Sequence, residues 1–391
     1  MINTRILYSH LLLFASPLFL SISFAKKPNI LFILTDDQSH RSVGCYPESP
    51  DWVKTPHIDS LARDGIRFAH CYMSSWCMAA RATLLTGHQS YGVKSMRMEG
   101  EYPGSVYNSE DCPFWPSVFR KDGYQTAQIG KWHTGIDNGF GRDWDFQKVW
   151  NRPAFPGNSG NYFKEQLIQT NGKKAVMTQG YSTDNYTKWA EEYIRGGHGK
   201  EESKPFYLWL CYGAVHGPFT PAKRHINHYP NAKVDIPKDI YPPRNGKPEY
   251  SRNKEQWIPG PDGIPMLKSG KFSGRTVSGK FIHGTDIHSL ERQYHQGVLA
   301  IDEGVGKLIK ALKETGQYEN TLIVYGADQG IAWGQKGFQM KLAPYDGTIR
   351  GPLIVSMPTK FPTGKVCSKP VGGADLVPTF FNAAGLDLPW K

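Results

Sequence analysis

The sequence predicts an α/β fold built on a sheet that is buried on both faces. Pro28–Thr35 and Asn320–Ala327 are largely apolar runs without polar alternation, which is typical of strands covered by helices on both sides. Asp286–Lys313 carries apolar residues at helical spacing along one face, and Gly316 follows its end. Strand and helix patterns alternate along the chain, so we expect helices packed against a central sheet.

The chain has the composition of an ordinary globular protein. Its 391 residues are 39% hydrophobic and 21% charged, which excludes a disordered chain. The formal net charge of +11 favours anionic partners such as sulfated or phosphorylated glycans, nucleic acid or an acidic surface. The sequence has no zinc-finger spacing, RNP-like aromatic stretch or dense Lys/Arg block, so we expect no nucleic-acid partner.

The N-terminus has the pattern of a cleaved signal peptide at residues 1–25. Arg5 supplies a short positive region, Leu11–Phe24 is apolar, and Ser23-Phe24-Ala25 has the form of a small-x-small cleavage site. The alternative is an N-terminal membrane anchor, but the apolar run is short for a span and no cysteine follows it for lipid attachment. We therefore expect a periplasmic or secreted protein without a stable membrane anchor.

Cys77 lies at the start of a predicted helix that ends at Gly87. Free N–H groups and the positive end of the helix dipole favour an anion there and lower the pKa of a thiol. Arg81 lies one turn further on the same face and adds a fixed positive charge. The alternative is a buried structural cysteine with Arg81 as a solvated surface residue.

Oxygen-bearing side chains follow both of the apolar strands. Asp36 and Asp37 come directly after the first strand, and Asp328 and Gln329 after the second. Adjacent acids beside a buried strand are costly unless something pairs with them, and oxygen ligands suit calcium or magnesium. The pattern predicts a site for a hard cation. Surface-loop acids, or a helix cap, are the alternative for the first pair.

Two further polar elements follow predicted strands. Lys131 and His133 come after the strand predicted over Gly123–Gly130, and residues two apart in an extended segment project to the same side. His216 follows the strand predicted over Pro205–Tyr212. Taken alone, the first pair is more typical of a solvated lysine and a half-buried histidine than of site residues.

These elements together resemble the sulfatase family over Lys27–Leu388. In that family a Cys or Ser is followed four positions later by Arg in a run that ends in Thr-Gly. Here the matching residues are Cys77, Arg81, Thr86 and Gly87, and Ala79 stands where the family usually has Pro. The acid pair, a Thr-Pro-x-Ile-Asp helix, a Gly-Lys-x-His element, a His-x-Pro element and an Asp-Gln-Gly element follow the family order. Lys341–Pro352 is similar to its Lys-x-x-x-Tyr-(Glu/Asp)-Gly-x-x-Arg-x-Pro run.

The resemblance implies an alkaline-phosphatase-like, three-layer αβα fold with a mixed, mostly parallel central sheet. It implies a sulfuric ester hydrolase acting on a sulfated small molecule or glycan, either a sulfated carbohydrate or an aryl sulfate. A maturase would convert Cys77 to formylglycine, whose hydrate is the nucleophile. One divalent ion, Ca²⁺, would be held by Asp36, Asp37, Cys77, Asp328 and Gln329.

The resemblance also implies roles for the basic residues. Lys131, Lys341 and Arg81 would offset negative charge in the site. His216 or Lys341 would protonate the departing alcohol, and His133 would remove the proton from the second hydroxyl of the hydrate. Two rival functions stay open: a phosphoester or phosphonate hydrolase of the same superfamily, and a non-catalytic binder of sulfated glycans.

The expected domain organisation is a signal peptide followed by one catalytic domain over residues 26–391. Residues 140–179 are predicted to form irregular loops. Residues 222–285 are basic and rich in Pro and Gly, and form an irregular insertion that either lines the substrate entrance or is a variable surface segment. Sulfatases normally continue into a small C-terminal subdomain, which we expect to be missing here.

Overall fold

The structure is a computed structural model that describes residues 26–89, 91, 113–270 and 281–390. The predicted signal peptide therefore lies outside the described residues. The strands are β1 Asn29–Thr35, β2 Ile66–Tyr72, β3 Gln125–Trp132, β4 Phe146–Asn151, β5 Gln166–Thr170, β6 Val176–Thr178, β7 Phe206–Cys211, β8 Trp257–Pro259, β9 Pro265–Leu267, β10 Thr321–Ala327, β11 Ala332–Trp333, β12 Gln339–Met340, β13 Arg350–Gly351, β14 Leu353–Ser356 and β15 Lys365–Gly372. The helices are α1 Pro56–Arg63, α2 Cys77–Thr86, α3 Pro116–Lys121, α4 Ser182–Ile194, α5 Glu249–Arg252, α6 Ile287–Glu314, α7 Asp346–Ile349 and α8 Gly373–Ala384.

A central sheet of 11 strands organises the described part of the chain, in the order β13-β2-β14-β10-β1-β7-β3-β4-β5-β6, with β15 on β2. β10, β1, β7, β3 and β4 run parallel as neighbours. The antiparallel pairs lie towards the two edges. Carboxyl ends of adjacent parallel strands meet at one edge of a sheet, so β10, β1, β7 and β3 deliver their following residues to the same place.

The sheet is covered on both faces, as its apolar strands predict. Leu31 and Ile33 of β1 pack into one hydrophobic cluster, which includes residues of α1, α4 and α6. Ile30 and Phe32 point to the opposite face and a second cluster, which includes residues of α2, α3 and α8. This alternation is the period of two expected of a strand. The predicted three-layer arrangement with a mixed, mostly parallel sheet is confirmed.

The prediction of irregular loops over residues 140–179 is wrong, because β4, β5 and β6 lie there and extend the sheet. These strands carry polar side chains, which hid the pattern. The side-chain amide of Gln147 donates to the Asn138 carbonyl at 2.7 Å, and that of Gln166 donates to the Asn161 carbonyl at 2.8 Å. Buried polar groups satisfied in this way are compatible with a strand in the core.

The insertion over residues 222–285 contains α5 and the hairpin β8–β9, and its remaining described residues are mostly turns and irregular chain. It packs against the segment that precedes α7. The Trp257 indole donates to the Phe338 carbonyl at 3.3 Å, and the Ser251 and Tyr345 hydroxyls lie 2.9 Å apart. None of the helices in the part of the chain that the structure describes is both long enough and apolar enough to span a bilayer.

Candidate active site

The ends of β1 and β10 place four oxygen-bearing side chains together. Asp36 and Asp37 follow β1, and Asp328 and Gln329 follow β10. The backbone amide of Asp37 donates to Asp328 Oδ1 at 3.1 Å, which ties the two strand ends to each other. Asp37 has a φ of 56°, so the chain turns sharply at this point.

One ligand atom from each of Asp36, Asp37, Cys77 and Asp328 lies within 4.8 Å of the others, and all four residues are buried. A separate cation faces each carboxylate. Lys131 pairs with Asp36, the Lys341 ammonium lies 2.6 Å from Asp37 Oδ1, and Arg81 lies 3.2 Å from Asp328 Oδ2. The alternative of surface-loop acids is wrong for these residues.

Three oxygens of the cluster have no hydrogen-bond partner among the described residues: Asp36 Oδ1, Asp37 Oδ2 and Gln329 Oε1. Buried oxygens without partners are costly, and carboxylate and amide oxygens are the ligands that hard divalent cations prefer. The Gln329 amide nitrogen also lies 3.3 Å from Cys77 Sγ, so this side chain reaches the same point as the carboxylates. The residues present therefore fit a calcium or magnesium ion.

Charge and burial shift the pKa values of Asp36 and Asp328 in opposite directions. Burial disfavours ionisation of Asp36, yet Lys131 and the other nearby cations hold its pKa well below its usual range. Burial and the neighbouring Asp36 raise the pKa of Asp328 to about 7, although Arg81 opposes this. Carboxyl groups whose pKa values are shifted apart in this way are common at functional sites.

Cys77 is the first residue of α2 and is 2% exposed. Its sulfur lies 3.0 Å from the ammonium of Lys341. Burial, followed by the charge of Asp36, raises the pKa of the thiol to about 11, so the expectation of a lowered pKa is wrong. Arg81 is buried as well, which excludes the solvated role.

Lys131 is the penultimate residue of β3 rather than a residue beyond it. Gly130 has a φ of +102°, and a Cβ there would lie 2.1 Å from the Cys211 carbonyl oxygen, so only glycine lets β3 approach β7 this closely. Lys131 and His133 are both buried. Lys131 reaches the carboxylates, whereas His133 contacts Arg152 Nη1 at 3.0 Å.

His216 lies beside the cluster, as its position after β7 predicts. Its Nε2 is 3.6 Å from Asp37 Oδ2, and its ring stacks on Tyr162 with centroids 3.8 Å apart. Burial lowers the pKa of His216 to about 3, although Asp37 opposes the shift. The imidazole is therefore neutral near pH 7.

Comparison with known proteins decides the family. Residues 28–386 match the family model described as Sulfatase. The chain belongs to the sulfatase family. It is 27% identical over 405 residues to an N-acetylglucosamine-6-O-sulfatase of Bacteroides thetaiotaomicron. That alignment covers 93% of this chain and 69% of the relative. The chain is 25% identical over 393 residues to an arylsulfatase of Clostridium perfringens, with 93% and 76% covered.

Solved structures agree with this assignment. One solved protein structure is described as a complex with its substrate D-glucosamine-2-N,6-O-disulfate. It superposes on this chain with a TM-score of 0.75 at 25% identity, and the match covers 94% of this chain and 78% of that one. A phosphonate monoester hydrolase from Silicibacter pomeroyi has a TM-score of 0.67 at 21% identity, with 93% and 74% covered, and shares the fold. The protein is a sulfuric ester hydrolase with an alkaline-phosphatase-like fold.

Three residues of this sulfatase that border the cluster were not predicted. Trp76 precedes Cys77, and the Lys341 ammonium lies 5.1 Å from its ring centroid. Arg152 and Tyr162 come from the region wrongly predicted as irregular, and the Arg152 guanidinium lies 4.8 Å from the Tyr162 ring centroid. The aromatic content of that region was the one available signal, but it does not say which rings face the site.

Lys341 was predicted from the resemblance, and the structure places it in an unusual backbone. Its neighbours Met340 and Leu342 have φ values of 135° and 79°, a region that residues with side chains rarely adopt. Burial disfavours the charged form of Lys341, yet Asp37 and Cys77 raise its pKa well above the usual range. The site thus holds a protonated lysine against Cys77.

Proposed function

We propose that this sulfatase hydrolyses the sulfate ester of a carbohydrate, with the formylglycine hydrate formed from Cys77 as nucleophile and one divalent ion, Ca²⁺, in the site. One observation carries the proposal: Cys77 lies within 4.8 Å of three buried carboxylates, at the start of a helix. A hydrate at this position would have its hydroxyls beside both the ion's ligands and the ammonium of Lys341.

Asp36, Asp37, Asp328 and Gln329 would hold the ion, together with the hydrate at position 77. A divalent ion there lowers the pKa of a bound hydroxyl and neutralises charge on a sulfate oxygen. The hard oxygen ligands and their unpartnered atoms favour Ca²⁺ or Mg²⁺ over thiolate-seeking metals. We propose Ca²⁺, in agreement with the resemblance.

The basic residues would stabilise negative charge and transfer protons. Lys131, Lys341 and Arg81 surround the position of the sulfate with positive charge in a site where water is scarce, and fixed charges act strongly there. After transfer of the sulfate to one hydroxyl of the hydrate, His133 takes the proton from the second hydroxyl; the C–O bond to the sulfate then breaks, which releases sulfate and restores the aldehyde. Burial and the nearby guanidinium of Arg152 lower the pKa of His133 well below the usual range, so it is neutral and able to accept that proton.

Either Lys341 or His216 protonates the departing alcohol, and we assign this step to Lys341. A cation bound at Asp37 would weaken the hold of His216 on a proton, and the pKa of His216 is already lowered to about 3 by burial. His216 then orients the leaving group by a hydrogen bond. Lys341 carries a proton at neutral pH and lies 3.0 Å from Cys77 Sγ.

A sulfated amino sugar is the first substrate to test. The relatives described above include an N-acetylglucosamine-6-O-sulfatase and a complex with a sulfated glucosamine. The net charge of +11 also suits a polyanionic glycan. An aryl sulfate is the simpler alternative of the same reaction class.

The test uses protein co-expressed with a maturase and loaded with Ca²⁺. Peptide mass spectrometry first establishes conversion of Cys77, because formylglycine is lighter than cysteine. Sulfate release is then measured from N-acetylglucosamine-6-sulfate, from an aryl sulfate and from the matching phosphate esters, with Cys77→Ala as the inactive control. Faster phosphate release would replace the proposal with a phosphoester hydrolase. Binding of sulfated sugar without any turnover of converted protein would leave a glycan binder.

We further propose that the protein is exported after cleavage behind Ala25, and that a maturase is a required partner. Cys77 is 2% exposed in the folded chain, so conversion has to precede folding. The N-terminal sequence of protein recovered from the periplasm or medium tests the cleavage. A retained N-terminus in the membrane fraction would support the anchor instead.

A further inference from the structure

Among the described residues of the candidate active site, the charges pair one to one and one cation is left over. Lys131, Lys341 and Arg81 each face one of the three carboxylates. Arg152 borders the same site and forms no ion pair with a carboxylate of any described residue. Its guanidinium is the fourth positive charge against three negative ones among the site residues that the structure describes.

Uncharged groups hold Arg152 in place. Its Nε donates to the Ser159 carbonyl at 2.9 Å, and the guanidinium carbon lies 4.8 Å from the Tyr162 ring centroid and 5.3 Å from that of Trp150. Its Nη1 is 3.0 Å from Nδ1 and 3.1 Å from Nε2 of His133. Because these two distances are nearly equal, the contact fixes neither tautomer of the imidazole. This contact with a neutral ring leaves the paired N–H groups of the Arg152 guanidinium without a carboxylate or other anionic oxygen to bind in the described part of the chain.

Tyr162 connects Arg152 to the reacting centre. Three groups of the site contact its ring. The distances to the Tyr162 ring centroid are 3.8 Å from the centroid of the stacked His216, 5.2 Å from the Lys131 ammonium and 4.8 Å from the Arg152 guanidinium carbon. Arg152 lies half-buried at the rim of the site and contacts the buried His133, whereas Asp36 and Lys131 are fully buried. A sugar whose sulfate lies at Cys77 would therefore pass this rim.

We propose that Arg152 binds a second anionic group of the substrate, a sulfate or carboxylate on the same sugar or on its neighbour. This inference rests on the proposed carbohydrate sulfatase function. A half-buried guanidinium without a carboxylate is costly, and its planar fork matches the oxygens of sulfate and carboxylate. Neutral hydroxyls would leave the charge uncompensated, so the site favours substrates with more than one negative charge.

The test compares three ligands in Ca²⁺-loaded protein carrying Cys77→Ala, so that nothing is hydrolysed. They are N-acetylglucosamine-6-sulfate, glucosamine-2-N,6-O-disulfate, and a disaccharide that joins 6-sulfated glucosamine to a uronate. Calorimetry should show one of the two doubly charged ligands binding roughly tenfold or more tightly than the singly charged one, as expected for an added charge-assisted contact. Preference for the disulfate assigns the site to a sulfate, and preference for the disaccharide assigns it to a carboxylate.

Arg152→Met should abolish this preference, and Arg152→Lys should keep part of it because the charge remains without the fork. Lys174→Met removes an exposed charge elsewhere and serves as the matched control. In matured enzyme, loss of the contact to His133 lowers kcat for all substrates alike, whereas loss of anion binding raises KM only for the doubly charged ones. An unchanged preference in Arg152→Met, or none in the parent protein, overturns the inference. Failure of the sulfatase function shows separately, as absent sulfate release from matured protein.

Discussion

The ammonium of Lys341 lies 3.0 Å from the sulfur of Cys77, the residue that we propose becomes the nucleophile. The same ammonium lies 2.6 Å from Asp37 Oδ1. One side chain therefore touches both the proposed cation site and Cys77. Its backbone, between two residues with positive φ, holds it there against ordinary conformational preference.

Removing this ammonium should damage the chemical step more than binding. We expect Lys341→Met to lower kcat about 100-fold or more, the size of effect seen when one group that stabilises developing charge is lost. Steady-state kinetics on a sulfated sugar measure it. Lys336→Met, in the same segment but paired with Asp239, is the control and should keep near-normal kcat. Equal kcat for both variants would remove Lys341 from the mechanism.

Breaking the pair of Lys131 and Asp36 should destabilise the fold. Both side chains are 0% exposed, so Asp36→Asn leaves a buried ammonium without its carboxylate. Loss of one partner of such a pair costs about 3–5 kcal/mol of unfolding free energy. The double variant Asp36→Asn with Lys131→Met should recover part of the stability in thermal melts and none of the activity.

The same variants test the cation. Ca²⁺ should raise the melting temperature of the parent protein, since an ion that binds the folded state alone stabilises it by about 2.7 kcal/mol at 100 times its Kd. Asp36→Asn should lose this response, and Asp262→Asn, at an exposed position, should keep it. A parent protein whose melting temperature and activity ignore both Ca²⁺ and chelator would contradict the assignment of the cation site.

A buried carboxyl outside the site should make stability depend on pH. Glu291 lies in α6, 4.0 Å from the His295 ring, and burial raises its pKa to about 8. Above its usual pKa the unfolded chain releases this proton while the folded chain still holds it. Stability therefore falls as the pH rises from roughly 4.5 towards 8.

Glu291→Gln should remove that part of the pH dependence. The amide cannot ionise, so the free energy of unfolding of the variant should rise relative to that of the parent protein as the pH rises. At about 1.4 kcal/mol per pKa unit, this difference amounts to a few kcal/mol at most. Urea melts at pH 5 and pH 8.5 measure the difference, with Glu249→Gln, exposed in α5, as control. A constant difference between variant and parent at both pH values would show that Glu291 is ionised in the folded chain at pH 5.

The sequence was informative where local pattern determines position. The apolar runs of β1 and β10 required buried strands, and parallel strands that end together bring Asp36 and Asp328 to one edge. The helix from Cys77 to Thr86 and its end at Gly87, which has a φ of 75°, also follow from local signals. These elements include most of the cation site.

The rest depends on packing between distant parts of the chain. Arg152 and Tyr162 face the site only because β4 joins the sheet, and β4 has too many polar residues for a clear strand pattern. The raised pKa of Cys77 has the same origin. The helix dipole was visible in the sequence, but the burial and the charge of Asp36 that outweigh it come from other elements.

The last prediction concerns how Cys77 is matured, and it depends on Ala79. Ala79 is the third residue of α2, and the first hydrogen bond of that helix runs from the Ala80 amide to the Trp76 carbonyl at 2.9 Å. The amide of Ala79 is therefore one of the helix-terminal groups without a helical partner, and Pro is tolerated there. Ala79→Pro should keep the fold.

In the unfolded chain, Pro would restrict Met78 and hold the segment extended, as an enzyme that binds it before folding requires. The gain in ordering is on the order of 1 kcal/mol or less. We expect little conversion of Cys77 when only an oxygen-dependent generating enzyme is present, more with a radical-type maturase, and increased conversion by the former in Ala79→Pro. Peptide mass spectrometry on both proteins, expressed side by side, measures it. Equal and high conversion of both would show that Ala79 is neutral, and no conversion under any maturase would favour the glycan-binding function.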